Sequence, residues 1–272
     1  MNTYGRFDPS NITISRLFKA IKTRASEIPH SIAWNISPHA QLNKEYLRKY
    51  KNLHKGQRCF IVANGPSLQK TNLDLLANEV TFGLNRIYLN FDESPFRPTY
   101  QVIVNELILE QCANEILQLN MPKFLNWNRR PLFQINNANT MFLKSKMVIK
   151  DSFQYDLTHP LVVGATVTFV ALQLAYYMGF SKVILIGLDH DYTESGIPSK
   201  SEIRTSDTDK DHFHKNYFPK GFRWQLPDLL RSEIDFSIAR KAYEADGREI
   251  IDSTIGGKCP VFNKAEFSSL FR

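Results

Sequence analysis

The chain has 272 residues, of which 43% are hydrophobic and 12% aromatic; that is enough apolar surface to bury a large core, and it excludes global disorder. Twelve glycines and 13 prolines exclude a collagen-like or low-complexity chain, and three cysteines without C-x-x-C spacing (Cys59, Cys112, Cys259) argue against a disulfide framework or structural zinc and suit a reducing cytosol. The net charge of +7 belongs wholly to residues 1–56, with ten Lys/Arg against three Asp/Glu, while the rest carries 24 of each sign and does not read as a nucleic-acid binder.

Taken in chain order, the first segment lacks the apolar run of a signal peptide. Residues 11–28 have helical periodicity: Ile14, Leu17, Phe18, Ile21, Ala25 and Ile28 share one side, Arg16, Lys19, Lys22 and Arg24 the other, with Ser10 or Asn11 as the cap. Such a basic amphipathic helix suits an anionic membrane surface; packing on the body or on a second subunit explains the pattern equally. A second charged stretch, Lys44 to Lys55, ends at Gly56, so residues 1–55 are predicted as a helical arm and 56–272 as the main domain.

Beyond Arg58, strands are predicted at Cys59–Ala63, Thr81–Leu84, Tyr100–Val104, Lys123–Leu125, Val183–Gly187 and Glu249–Asp252. Helices are predicted at Thr71–Ala77, Glu106–Leu119, Val167–Met178 and Ser232–Asp246, the last capped by Ser232 with Asp235 and stopped at Gly247. This alternation predicts an α/β fold of the Rossmann-like kind, a largely parallel sheet flanked by helices, with the basic arm in front. Leu161–Phe180 has no charged residue or histidine over twenty positions, long enough for a bilayer; its Gly, Thr and Gln content and the strand that follows predict a buried crossover helix instead.

Three groups of residues have chemical potential. Asn64-Gly65-Pro66-Ser67-Leu68 follows the first strand, where open parallel sheets bind ligands: Gly65 permits close approach, Pro66 stiffens the turn, and Ser67 caps a helix whose N–H groups attract phosphate. Neither a dinucleotide glycine pattern nor a P-loop is present, so an ordinary turn is the alternative. Asn64, Asn85 and Asn105 each end an apolar strand, an arrangement suited to a base edge, ribose or sugar, although asparagine also favours turns. Asp189 and Asp191, in Leu188-Asp189-His190-Asp191-Tyr192, either hold Mg²⁺ beside a polyphosphate or brace the loop. After a polar stretch, Thr193–Lys210, that reads as a mobile lid (193–222 in full) comes Asp211-His212-Phe213-His214. A histidine there, with an acid next to it, serves as general base or is a plain surface residue; an H-x-H metal pair finds no third ligand.

RCFIVANGPSL (58–68), TFGLNRIY (81–88), the run from Thr166 ending in MGFSKVILIGLDHDY (178–192), HFHKNYF (212–218) and STIGGKCPVF (253–262) together resemble the MptE-like domain, named for an archaeal hydroxymethylpterin pyrophosphokinase, and more distantly the bacterial sialyltransferases of glycosyltransferase family 42. The resemblance covers about residues 56–272. Through the sialyltransferases it implies that Asn64, Gly65 and Ser67 border the nucleotide, that Asn85, Asn105 and Thr166 face the donor, that His212 is the base, and that Ser253 and Thr254 close over cytidine; Pro66 and Asp189 are further donor-binding candidates. His214 is a further catalytic candidate. Of the two tyrosines that hold the leaving phosphate in that family, one position reads Asp191 with Tyr192 displaced by one, and Tyr217 is the substitute for the other.

The resulting expectation is a metal-independent glycosyltransferase, using a nucleotide-activated sugar (a CMP-linked acidic one) and a glycan or lipid-linked acceptor in surface polysaccharide synthesis. No cofactor is expected. The location expected is the cytoplasm, peripheral at the inner membrane face through residues 11–28, with self-association as another use of the arm. The alternatives are a pyrophosphokinase using ATP and Mg²⁺, with Asp189 and Asp191 as ligands, and a non-catalytic nucleotide-sugar binding protein.

Overall fold

The computed structural model describes residues 14–133, 139–146, 151–193, 196, 202–207 and 209–271. In chain order the elements are α1 (Ile14–Ile36), α2 (Pro38–Tyr50), β1 (Arg58–Val62), β2 (Thr81–Leu84), β3 (Tyr100–Ile103), α3 (Glu106–Gln111), α4 (Ala113–Leu117), β4 (Lys123–Asn126), β5 (Thr140–Leu143), α5 (Val167–Tyr177), β6 (Lys182–Ile186), β7 (Ile203–Thr205), β8 (Arg223–Gln225), α6 (Leu229–Ala245), β9 (Glu249–Asp252) and β10 (Asn263–Lys264). Eight strands form one sheet in the order β10-β9-β6-β1-β2-β3-β4-β5, and every pair is parallel. The chain winds outward from β1 to β5, then returns to the other flank of β1 for β6, β9 and β10. The direction of winding therefore reverses between β1 and β6, the switch point at whose carboxyl ends open parallel sheets form a crevice.

Strands buried on both faces are continuous apolar runs, as RCFIV and KVILI are. One face, with Cys59, Ile61 and Leu185, packs against α5 and α6; the other, with Phe60, Val62 and Ile186, packs against Leu68, Leu73, Leu76, Phe213, Tyr217 and Phe267. All three cysteines are buried free thiols. The uncharged stretch Leu161–Phe180 contains α5, nine of whose eleven residues are buried. No described helix is long and apolar enough to cross a membrane.

The six predicted strands form, with ends differing by one residue at most. Several helices differ. Thr71–Ala77 is only a 3₁₀ turn at Leu73–Leu76, following another at Pro66–Lys70. Glu106–Leu119 breaks at Cys112, whose φ/ψ of −122°/21° is not helical. α6 begins earlier than predicted, because Asp228 and not Ser232 caps it, accepting from the Arg231 N–H. Ser232 is already inside the helix, donating back to the Asp228 carbonyl. The cap assigned to Ser10 or Asn11 lies outside the described residues. β5 escapes the sequence pattern because its four residues follow the polar run Asn136–Asn139.

The arm helices pack on the sheet's β5 edge. Asn43 of α2 donates from Nδ2 to the Phe142 carbonyl (2.9 Å) and accepts from the Phe142 N–H (2.7 Å), so a carboxamide completes the peptide hydrogen bonding that an edge strand would leave open. Trp34 packs edge-on against Trp127, and Glu27 pairs with the buried Lys144 at 2.6 Å.

Burial raises the phenol pKa values of Tyr100, Tyr176, Tyr177 and Tyr192 from 10 to about 12. Below pH 10 both folded and unfolded chains keep these protons and the contribution to stability is complete. Above it the unfolded phenols ionise first, so stability falls as pH rises to about 12. Urea midpoints that decline across this window, alongside delayed phenolate absorbance in the folded protein, check the expectation.

Candidate functional site

The crevice between β1 and β6 is built from their exit loops, the start of α5 and the segment around His212. Asn64, Gly65, Asn85, Thr166, Asp189, Asp191, Tyr192, His212 and Tyr217 all line it. These residues come from positions 64 to 217, and only the winding of the sheet brings them together.

At the floor, the Gly65 N–H donates to the Gly187 carbonyl at 2.9 Å, locking the two loops together. Asp189 accepts from the Ser67 N–H (2.9 Å) and the Ser67 hydroxyl (2.6 Å). The start of the 3₁₀ turn after Pro66 is therefore capped by a carboxylate. This corrects the expectation that Ser67 caps a helix offering its N–H groups to phosphate: that position already holds a negative charge, and the turn is five residues long.

The asparagines divide into two kinds. Asn64 donates to the Leu84 carbonyl at 3.0 Å, bridging β1 to β2, and Asn85 takes the left-handed conformation (φ 44°) at the crevice wall. Their Oδ1 atoms are buried without a hydrogen-bond partner, which is costly unless a ligand or water donor meets them. Asn105 instead caps α3, accepting from the N–H groups of Leu107 and Ile108, and is not among the lining residues. Asn126 repeats the bridging role one strand further on, donating to the Val104 carbonyl at 3.2 Å. The recurrence of asparagine at strand ends thus reflects bracing of neighbouring exits as well as the crevice.

Thr166 caps α5 by accepting from the Thr168 N–H at 3.2 Å, and the first turn of α5 carries no acid, so its positive end faces the crevice. The loop before it is held by Asp235, which accepts from the Ala165 N–H (2.8 Å) and from Arg231 (2.6 Å). Asp235→Ala leaves the Arg231 charge buried with one fewer partner and is expected to cost about 3–5 kcal/mol, read as a shift in urea unfolding. Ser253 and Thr254 stand behind the crevice rather than in its lining. Thr254 Oγ1 accepts from the Leu188 N–H at 3.0 Å and fixes the β6 exit, while the Ser253 hydroxyl is buried without a partner.

His212 is the centre of the arrangement. Its Nδ1 lies 2.9 and 3.0 Å from the two Asp209 oxygens, and its ring stacks on Tyr217 with centroids 3.9 Å apart and planes 6° from parallel. The Asp209 side chain is buried and also accepts from the N–H groups of Asp211 and Phe218, so it is held independently of the histidine. The carboxylate beside His212 is thus Asp209, three residues back, and not its sequence neighbour Asp211, which accepts from Thr193. The bend at residues 211–214 puts the carboxylate at i−3 rather than at i−1 beside the imidazole, and no sequence signal distinguishes the two. With Nδ1 directed at Asp209, Nε2 is the atom left to exchange a proton.

The other candidates occupy distinct positions. Tyr192 is pushed up to about 12 by burial and by Asp211, Asp189 and Asp209, so at neutral pH it is a phenol able to donate a hydrogen bond. Tyr217 is raised further by burial, its hydroxyl beside the Asn85 side chain. His214 accepts from the Asn216 N–H and faces Glu93 at 3.6 Å, outside the lining. Pro66 starts the 3₁₀ turn behind Gly65. His190, which sequence reading passed over, lines the crevice in the left-handed conformation and pairs through Nε2 with Glu233 at 3.0 Å.

The crevice measures about 90 Å³, less than a nucleotide fills, but it shares Asp211 and His212 with an outer groove of about 520 Å³ over the β7–β8 hairpin. In the predicted lid, 193–222, Phe213, Tyr217 and Phe222 are buried, and β7 within it pairs antiparallel with β8 just beyond it; 194, 195, 197–201 and 208 lie outside the described residues. Magnesium does not find a ready donor set: Asp189 is engaged by Ser67 and Asp191 by Lys258 (2.7 Å). Among the described residues no group of three or more His, Cys, Asp or Glu is placed to hold a metal.

The family model described as 6-hydroxymethylpterin diphosphokinase MptE-like matches residues 34–195, which takes in β1, the Asn64–Leu68 turn and the Leu188–Tyr192 loop and stops short of His212. No curated protein matches the chain. With well over half of its length matched, this chain belongs to the MptE-like family.

Proposed function

We propose that the protein transfers an activated group from a nucleotide donor to an acceptor hydroxyl, with His212 as general base and a nucleotide-activated sugar as the donor. The observation that carries this reading is the His212–Asp209 pair at the junction of the crevice and the outer groove, one imidazole within reach of ligands in both. An acceptor hydroxyl loses its proton to Nε2 as its oxygen bonds to the anomeric carbon, and the bond from that carbon to the nucleotide phosphate breaks. Asp209 stabilises the imidazolium. The phenol of Tyr192 and the start of α5 face the departing phosphate. The crevice lining contains no Lys or Arg, so the counter-charges for an acidic sugar of the CMP-linked kind are the α5 terminus and, in the outer groove, Arg204 and Lys210. A surface glycan under construction is the acceptor proposed.

One observation favours the other reading, diphosphate transfer from ATP to a hydroxymethyl group: the family model that matches residues 34–195 is described as 6-hydroxymethylpterin diphosphokinase MptE-like. Incubation with a panel of nucleotide sugars, scored by nucleotide release, tests the first reading directly. Thermal-shift comparison of CMP, CDP and ATP with and without Mg²⁺ separates the two. Stabilisation by CMP or CDP regardless of metal is expected; a shift seen only with ATP and Mg²⁺ overturns the sugar-transfer reading.

A further inference from the structure

The two faces of α1 are unequal in an unexpected way. The face directed at the body holds Glu27, His30, Ser31 and Trp34: Glu27 reaches Lys144 and Asn128, and the His30 carbonyl accepts from Trp127 Nε1. At about 100° per residue, Phe18, Ile21, Ala25, Ile28, Ile32 and Ile36 fall within an arc of about 80° on the opposite side. That stripe is turned to solvent: Phe18 is 67% exposed, Ile28 57% and Ile36 74%. It runs about 27 Å along the helix. Every residue from 21 to 26 is exposed, so this stretch of the helix is open to solvent. The helical periodicity in the sequence is therefore not a core-facing stripe, since the core takes Trp34 from the other side.

Charge identifies what covers it. α1 contains four Lys/Arg and a single acid, Glu27, which is turned inward to Lys144. Lys22 and Arg24 are exposed and lie on either flank of the stripe by the same helical geometry. A second copy of α1 laid on this face would bring like charges together. An anionic lipid surface meets both demands, taking the aliphatic stripe into the acyl boundary and the flanking cations at its headgroups. We infer that α1 is an in-plane anchor for an anionic bilayer. It packs at Trp127 and Lys144, where β4 and β5 end, so it lies on the same carboxyl edge of the sheet as the crevice. Docking by this face brings that edge to the membrane. The inference does not depend on which group the crevice transfers.

Sedimentation with phosphatidylcholine vesicles, with and without phosphatidylglycerol, tests it on the full chain. Binding is expected with phosphatidylglycerol, weakening as salt is added. Ile21→Ser/Ile28→Ser should reduce it by at least about tenfold, given the methylenes removed from the acyl boundary. The melting temperature should stay unchanged, because both side chains are exposed. Lys22→Gln/Arg24→Gln, which leaves the stripe intact, should abolish the preference for phosphatidylglycerol. No sedimentation with the anionic vesicles, or equal sedimentation of the Ser variant, overturns the inference. So does a dimer in light scattering that the Ser variant dissociates, which would assign the stripe to a second copy.

Discussion

His212→Ala is expected to lower turnover by about 10²–10⁴-fold, the range of a positioned general base, while leaving nucleotide binding within a few-fold of the parent. The separation follows from placement. His212 lines the crevice at its junction with the outer groove, whereas Asn64, Asn85 and the α5 terminus line the crevice from other elements and stay in place in the variant. Asp209→Asn should cost less than His212→Ala, because an amide still accepts or donates at Nδ1 but no longer stabilises the imidazolium. Nucleotide release under single-turnover conditions, paired with calorimetric binding of the nucleotide, measures both. Unchanged turnover in His212→Ala removes the histidine from the mechanism. Equal loss of binding and turnover makes it a structural residue.

The second large effect is expected at Gly65. Its φ of −70° suits any amino acid, so the backbone is no obstacle to substitution. Space is the obstacle: a Cβ there would lie 1.9 Å from Asp189 Oδ2 and 2.7 Å from the Gly187 carbonyl oxygen. Gly65→Ala must push the Asp189 carboxylate off Ser67 and part the β1 and β6 exits. A cost of about 1–3 kcal/mol in stability is expected, with loss of nucleotide binding as the crevice floor shifts. Asp189→Ala combined with Gly65→Ala removes the nearer clash and should recover part of the stability lost to Gly65→Ala alone, a non-additivity that a double-mutant cycle reads directly. Additive losses would mean that the two residues do not press on each other. Gly65 is thus a close-packing glycine at the floor of the crevice that it lines.

Local chemistry made much of this protein legible in the linear chain. Apolar runs of four or five residues separated by helical segments announce a parallel sheet, because only strands buried on both faces lose their alternation. RCFIVANGPSL and VILIGLDHDY mark the two strand exits that form the crevice, since a turn needing Gly, Pro and Asx is written in its own residues. Tertiary placement decided what remained. Whether Asp209 or Asp211 holds His212 depends on the bend of the chain between them, and whether Ser67 offers its N–H to a ligand or to Asp189 depends on a group 122 residues away. The outward face of α1 is the clearest case. An amphipathic period states that one side of a helix is apolar, but which side meets the body is settled by Trp34, Trp127 and the Glu27–Lys144 pair, contacts that exist only once the sheet edge has formed.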